Sequence, residues 1–353
     1  MPGLAERLRE QIAREGPIPF AAFMEEALYG EGGYYRRAEL AIGEAGDYVT
    51  GSSLSPLFGR ATARLLLRID RALGRPAELF EAGYGTGAHL AAVAVALAPA
   101  TGRRLRAWDR VARPVPAGVE ALADLAEVGE GEIEGLVFSY ELFDALPVHR
   151  LIGREKGPPG ELYVALDREG AFVWQERDLS DLALADLLGG EPLGPGQVAD
   201  LSPAWAPLYR RLARRLGRGV LVTCDYGFER RQLLDPRIRR HGTLAAYSRQ
   251  RVHRNPFVLV GEQDLTAHVD FTALSEAGEA EHLTTVAFTR QALWLAASGL
   301  FEDLSQADGA TRLEAMALLD GEGMGEEIRV LVQARGVAAE DLWEPGLLAA
   351  RPA

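Results

Sequence analysis

The sequence predicts an α/β fold organised on a Rossmann-like parallel sheet. Three observations carry that reading: strand-like and helix-like segments alternate with no internal repeat, a glycine turn closes the first core strand, and a carboxylate ends the second. The glycine turn says most. Residues 77–87 read AELFEAGYGTG, a short apolar run through Glu81 and then Gly83, Gly85 and Gly87 at alternate positions, ahead of a helical stretch over 89–97. Glycine suits such a bend because the chain turns sharply, a ligand can approach the backbone without a Cβ in the way, and the helix's free N–H groups face outward.

The spacing discriminates between ligands. A dinucleotide fingerprint puts two residues between its second and third glycines, whereas only Thr86 separates Gly85 from Gly87. This disfavours NAD and favours S-adenosylmethionine, which presents an amino acid, a ribose and an adenine but no pyrophosphate. Glu81 is placed to accept a hydrogen bond from the ligand's amino group. Asp109, 22 residues after Gly87, stands where nucleotide-binding α/β units put a carboxylate on the ribose hydroxyls.

Taken in order, the chain opens with a charged amphipathic helix bearing Leu4, Leu8 and Ile12 on one side, without the apolar region of a signal peptide. Residues 19–29 carry Phe20, Phe23, Met24, Ala27 and Leu28 at helical spacing, and Ser55 and Pro56 begin a further helix to Leu73. These helices are expected to cover the nucleotide fold. Strands are predicted at 77–82, 105–109, 135–140, 219–225, 284–288 and 328–334; a seventh is not visible. Between 151 and 201 the pattern changes to a hairpin, 161–166 with 171–177, followed by a Pro/Gly-rich stretch. Residues 230–270 have weak periodicity, many charges and three histidines. The expected organisation is an N-terminal helical cap (1–74), a core (75–150, 202–229 and 283–353) and an inserted substrate lobe (151–201 and 230–282).

Composition excludes several classes. At 353 residues and 48% hydrophobic content the chain can bury a substantial core, and its net charge of −13 argues against nucleic acid and anionic lipid as partners. The longest apolar run, 90–99, is far short of the roughly 20 residues of a spanning helix, so no membrane insertion is expected. A single cysteine, Cys224, excludes an internal disulfide and a multi-thiolate metal site, and leads to the expectation of a cytoplasmic protein.

Chemistry is expected where strands end. The run SYELFDALP over 139–147 follows a strand, and Glu141 and Asp144, three apart, would share a face of a helical turn and grip one cationic group. Asp225 and Tyr226 end the next strand and face the same cleft. His149 is read as structural. Asp264, His268 and Asp270 have a metal-like composition without metal-site spacing, so no metal is expected. The loop with Asp47 and Thr50 reads, by itself, only as a turn.

Together these segments resemble the MidA family of S-adenosylmethionine-dependent methyltransferases, a family that includes a mitochondrial complex I assembly methyltransferase acting on protein arginine. The resemblance spans nearly the whole chain. It rests on Gly33, Tyr34 and Tyr35, the run GEAGDYVTGSSLSPLFG from Gly43, the glycine turn, ELFDALPVHR from Glu141, CDYG from Cys224 and GEQDLTAHVDF from Gly261. It implies a seven-stranded class I methyltransferase sheet with S-adenosyl-L-methionine at the glycine turn and a protein substrate, a respiratory-complex subunit being one candidate; oligomeric state is left open.

Carried onto this chain, the family's pattern implies cofactor contacts from Glu81, Gly83, Gly85 and Gly87 and catalysis by Glu141 and Asp144; beside these, Asp109, Asp47 and Thr50 are expected at the cofactor, and Tyr34, Tyr35, Asp225, Tyr226, Asp270 and Phe271 at the substrate. The chain departs from the family at Ser52 and Ser53 (commonly Pro-Glu), Tyr84 (commonly small or Pro), Tyr140 (commonly Asn or His) and Gln250 (commonly His). These departures set a second reading beside the first, a cofactor-binding assembly factor with little catalysis.

Overall fold

The computed structural model describes residues 3–37, 56–97, 102–249, 251–319, 324–344 and 348; Asp47, Thr50, Ser52, Ser53 and Gln250 lie outside them. Seven strands, numbered in chain order, form the main sheet: β1 (Glu78–Ala82), β2 (Leu105–Trp108), β3 (Glu120–Leu122), β4 (Ile133–Tyr140), β5 (Leu216–Phe228), β6 (Thr284–Arg290) and β7 (Ile328–Arg335). Their order is β3-β2-β1-β4-β5-β7-β6, with a further two-residue strand, Val269–Asp270, on the end of β5. β7 runs antiparallel to both neighbours and the other pairs are parallel. This is the class I methyltransferase arrangement. The strand hidden from sequence is β3, three residues of which two are exposed, too short for any alternation to register.

Register puts the strand ends on one line. Ala82 pairs with Trp108 and with Ser139, and Tyr140 with Cys224. Gly83, Asp109, Glu141 and Asp225 therefore emerge together at one edge of the sheet. The chain winds outward in both directions from β1, so the gap between β1 and β4 is the crevice where such sheets bind ligands.

Side-chain alternation divides the core in two. Along β5, Val220, Val222 and Cys224 enter one apolar layer, and Leu221 the other. The helix over Pro56–Leu73, whose first residue is a proline with no N–H to leave unsatisfied, and the helix over Ala88–Leu97 cover the first face. The second is covered by the helices Trp205–Arg215 and Phe271–Ala280. The latter fell within the expected lobe, yet it packs on the main sheet.

Residues 149–201 build a separate antiparallel sheet from His149–Ile152, Gly160–Leu166, Phe172–Arg177 and Val198–Leu201, joined by Ile18–Pro19. Its hairpin closes where the Asp167 carboxylate accepts from the N–H groups of Glu169 and Ala171. The two N-terminal helices, Leu4–Glu15 and Phe20–Tyr29, expected on the nucleotide fold, lie instead against this lobe. The cause is aromatic: Phe20 meets Trp174 at 5.1 Å, and Phe23 meets Phe172 and Phe257 at 5.4 and 5.5 Å. Among the described residues no helix is long and apolar enough to cross a membrane.

Candidate functional site

The glycine turn lies at the crevice. Gly83, Gly85 and Gly87 have φ of +74°, +52° and +75°, a region that L side chains enter at a cost. The Gly83 N–H donates to Trp108 O at 2.8 Å and the Gly87 N–H to Tyr84 O at 2.8 Å. A Cβ on Gly83 would strike Leu142 at 2.9 Å and one on Gly87 would strike Pro116 at 2.9 Å, whereas one on Gly85 would meet nothing within 4 Å. The outer glycines allow close packing of the protein on itself. The central one leaves room for something else.

Asp109 closes the turn from β2. Its Oδ2 accepts from Gly85 N–H at 2.9 Å and its Oδ1 from Val111 N–H at 3.1 Å. Burial raises its pKa, and those backbone donors oppose the shift. Glu81 sits behind the turn, 3% exposed, its Oε2 2.8 Å from His89 Nδ1. At Tyr84 the hydroxyl donates to Arg113 O and accepts from Arg113 N–H, at 2.6 and 2.7 Å, fastening the turn to the β2–β3 connection.

Residues 141–146 carry the acids and form a turn, not the expected helix. Glu141 has φ +48°, a sparsely populated conformation for a side-chain-bearing residue, sustained by its surroundings. Four donors from three segments grip this loop by its carbonyls. Trp205 Nε1 donates to Phe143 O at 2.8 Å, Ala267 N–H to Asp144 O at 3.0 Å, Tyr29 OH to Ala145 O at 3.1 Å and Ser202 Oγ to Pro147 O at 2.7 Å. Trp205→Phe keeps an aromatic ring, though a smaller one, and orphans a buried carbonyl. We expect it to destabilise the fold by about 1–3 kcal/mol, measured by urea unfolding.

Asp225 organises the same loop from β5. Its Oδ2 accepts from the N–H groups of Leu142 and Phe143 at 3.2 and 2.8 Å, and its Oδ1 from that of Tyr226 at 2.9 Å. Glu141 Oε1 and Asp144 Oδ1, by contrast, are buried without a hydrogen-bond partner. Desolvation, with the charge of Asp225 next, holds both carboxyls well above the usual carboxylate range. Burial raises Asp225 itself to about 7. The negative field of Asp264 adds to both, and the hydroxyls of Tyr226 and Tyr247 feel the same cluster. Such an arrangement is electrostatically incomplete until a cation enters.

The structure therefore brings together Gly83, Gly85, Gly87 and Asp109 on one side, and Glu141, Asp144, Asp225 and Tyr226 on the other. Tyr35 joins through stacking on Tyr29 at 5.4 Å; Tyr34 is buried edge-on beneath it. Asp270 is engaged elsewhere, accepting from Arg230 Nε at 2.7 Å and capping a helix at Ala273 N–H, and Phe271 packs on Phe288 at 5.3 Å. Tyr140 is a core residue, its ring against Phe58 and its hydroxyl donating to Gln291 at 2.8 Å. His268 stacks on Tyr226 at 6.3 Å, and among the described residues no three metal-ligating side chains converge. Sequence reasoning missed His89, Thr62 and Tyr247 and misfiled Asp264. His89, two residues past the last glycine, was the one visible signal.

The fold is that of a nucleotide-binding α/β enzyme, and a buried acidic cluster shares its sheet edge with the glycine turn. Residues 103–289, more than half of the chain, match the model of a family described as "Putative S-adenosyl-L-methionine-dependent methyltransferase", and the chain belongs to that family. It is similar over 95% of its length to a COG1565 superfamily member from Burkholderia thailandensis, solved with S-adenosyl-homocysteine bound, at 32% identity, 92% of that chain and a TM-score of 0.85. It is 27% identical over 321 residues to the protein arginine methyltransferase NDUFAF7 homolog, mitochondrial, of Drosophila melanogaster, covering 78% of this chain and 70% of that one. The mouse protein arginine methyltransferase NDUFAF7, mitochondrial, is 25% identical, covering 77% and 68%.

The protein is an S-adenosylmethionine-dependent methyltransferase, and the open space at Gly85 beside the Asp109 carboxylate suits that cofactor. The cytoplasmic expectation is overturned, since these relatives are named as mitochondrial. A lone thiol as buried as Cys224 reports packing rather than compartment.

Proposed function

We propose that the chain methylates an arginine side chain of a partner protein, with Glu141 and Asp144 holding the guanidinium. The observation that carries the proposal is the pair of buried, unpartnered carboxylate oxygens, Glu141 Oε1 and Asp144 Oδ1, on the sheet edge that bears the glycine turn. The names of the curated relatives agree with it. Gly83, Gly85, Gly87 and Asp109 would hold the cofactor, with Glu81 toward its amino group. When bound, S-adenosylmethionine supplies an electrophilic methyl on a sulfonium, and the chain's task is alignment. Orientation alone is worth about 7–11 kcal/mol.

A guanidinium keeps its proton, with a pKa above about 12, so its nitrogen lone pair is delocalised. Two carboxylates sharing that charge orient one nitrogen and localise positive charge on the others. A guanidinium nitrogen that gains a methyl group must give up a proton, and Glu141 or Asp144 would receive it. The test is incubation with methyl-labelled cofactor and cell extract, followed by site identification in labelled proteins. Label on arginine supports the reading, and label only on other residues or small molecules overturns it. Respiratory-complex subunits are the first proteins to include.

pH supplies a second test. The acids must be ionised to take the cation, and burial holds both well above the usual carboxylate range, so kcat/KM for the acceptor should rise with pH across and above neutrality. Stability should move the other way. A carboxyl whose folded pKa is raised contributes fully below its unfolded value of about 4 and loses that contribution as pH rises through the folded one. Asp144→Asn removes a like charge. It should shift the activity limb to lower pH and flatten the fall in Tm between pH 5 and 8, measured by pH-rate profiles and thermal melts.

A further inference from the structure

Glu81 precedes the first glycine of the turn by two residues and His89 follows the last by two, so contact between them closes the turn from behind. A carboxylate oxygen only accepts, so His89 Nδ1 carries the proton in its 2.8 Å contact with Glu81 Oε2. On the far side, His89 Nε2 lies 3.0 Å from Thr62 Oγ1, which is 3.3 Å from Phe58 O. Glu81, His89 and Thr62 are 3%, 2% and 0% exposed. The imidazole is stacked on Phe138 at 4.6 Å and meets the Phe58 ring edge-on at 5.6 Å, so it has no other orientation to adopt.

The approach of two helices makes the chain of contacts reachable. A Cβ on Gly59 would come within 2.5 Å of Ala92 Cβ, so glycine there lets the helix Pro56–Leu73 cross the helix Ala88–Leu97 closely. Thr62, nearly one turn further on, then faces His89. Three polar side chains in a layer otherwise built from Leu57, Phe58, Leu90 and Phe138 are costly to bury. An apolar trio of similar volume would serve packing at least as well.

We infer that His89 and Thr62 are positioning residues, fixing the Glu81 carboxylate in one orientation behind the glycine turn so that it is pre-set for the cofactor's cationic amino group. The inference rests on the reading of Glu81 as a cofactor ligand. Without His89 the carboxylate would have to be reoriented at each binding event.

The test is calorimetric titration of the full chain with S-adenosyl-homocysteine, for wild type and the variants His89→Leu, His89→Asn, Thr62→Val and Glu81→Gln, each first checked by thermal denaturation. His89→Leu should raise Kd by about tenfold and also lower Tm, because it leaves the buried Glu81 carboxylate without its partner. Thr62→Val should have a smaller effect. His89→Asn, which restores an N–H donor on the Glu81 side, should recover most of the affinity; that rescue separates positioning from packing. Should His89→Leu fail to fold, the Asn and Val variants decide by the same criterion. An unchanged Kd in His89→Leu with a weakened Glu81→Gln overturns the inference alone. An unchanged Kd in both overturns it together with the reading of Glu81.

Discussion

Glu141→Gln should lose methyl transfer by about 100-fold or more while S-adenosyl-homocysteine binds with nearly wild-type Kd. The substitution keeps side-chain volume, and the residue's φ of +48° is set by neighbours that it does not disturb. Its backbone N–H still donates to Cys224 O at 2.9 Å, and Asp225 still holds Leu142 and Phe143. What is lost is the charge on a buried oxygen with no protein partner. A neutral amide cannot share the charge of a guanidinium or receive its proton, so the loss should fall on turnover. The same buried charge disfavours the folded state at neutral pH, so the variant should also melt at a higher temperature. Label incorporation, calorimetry and thermal denaturation on one preparation check all three.

Gly85→Ile should abolish cofactor binding with the fold intact. A Cβ at this position meets nothing within 4 Å, so a side chain there clashes with no part of the protein. The backbone cost of φ +52° with a side chain is about 1–2 kcal/mol, a loss that lowers stability without unfolding a chain of ordinary stability. A branched side chain would nevertheless fill the opening beside Asp109. Calorimetry should show no heat of binding for S-adenosyl-homocysteine, while circular dichroism stays close to wild type and the urea midpoint falls by no more than that backbone cost requires. The same substitution at Gly87 is a useful contrast. Its side chain would strike Pro116 at 2.9 Å, so that variant should suffer in stability as well as in binding.

Much of this site could be read from residues alone, for a reason. Strand ends, glycine turns and their following acids are local, and the parallel register that aligns Gly83, Asp109, Glu141 and Asp225 follows from a sheet whose pairing is dictated by apolar runs. What was not legible depends on tertiary contacts. Three-residue spacing suggests a helical turn for Glu141 and Asp144, but the loop's carbonyls are claimed by Tyr29, by Ser202 and Trp205, and by Ala267, from three distant segments. The N-terminal helices were put on the wrong layer because an apolar stripe does not announce its partner, and here aromatic residues of the inserted lobe supplied it. Asp264 was grouped with His268 and Asp270 by proximity in sequence, whereas folding sends Asp264 toward the acids and Asp270 to Arg230.

On the proposed reading the methyl donor sits at the opening over Gly85 with its reactive end toward Glu141 and Asp144. A crystal structure of this chain with S-adenosyl-homocysteine measures it directly. The ribose should lie against Asp109 and the sulfur should open toward the Glu141 and Asp144 carboxylates. A ligand bound with its sulfur facing away from those carboxylates, or bound elsewhere on the sheet, would contradict the account.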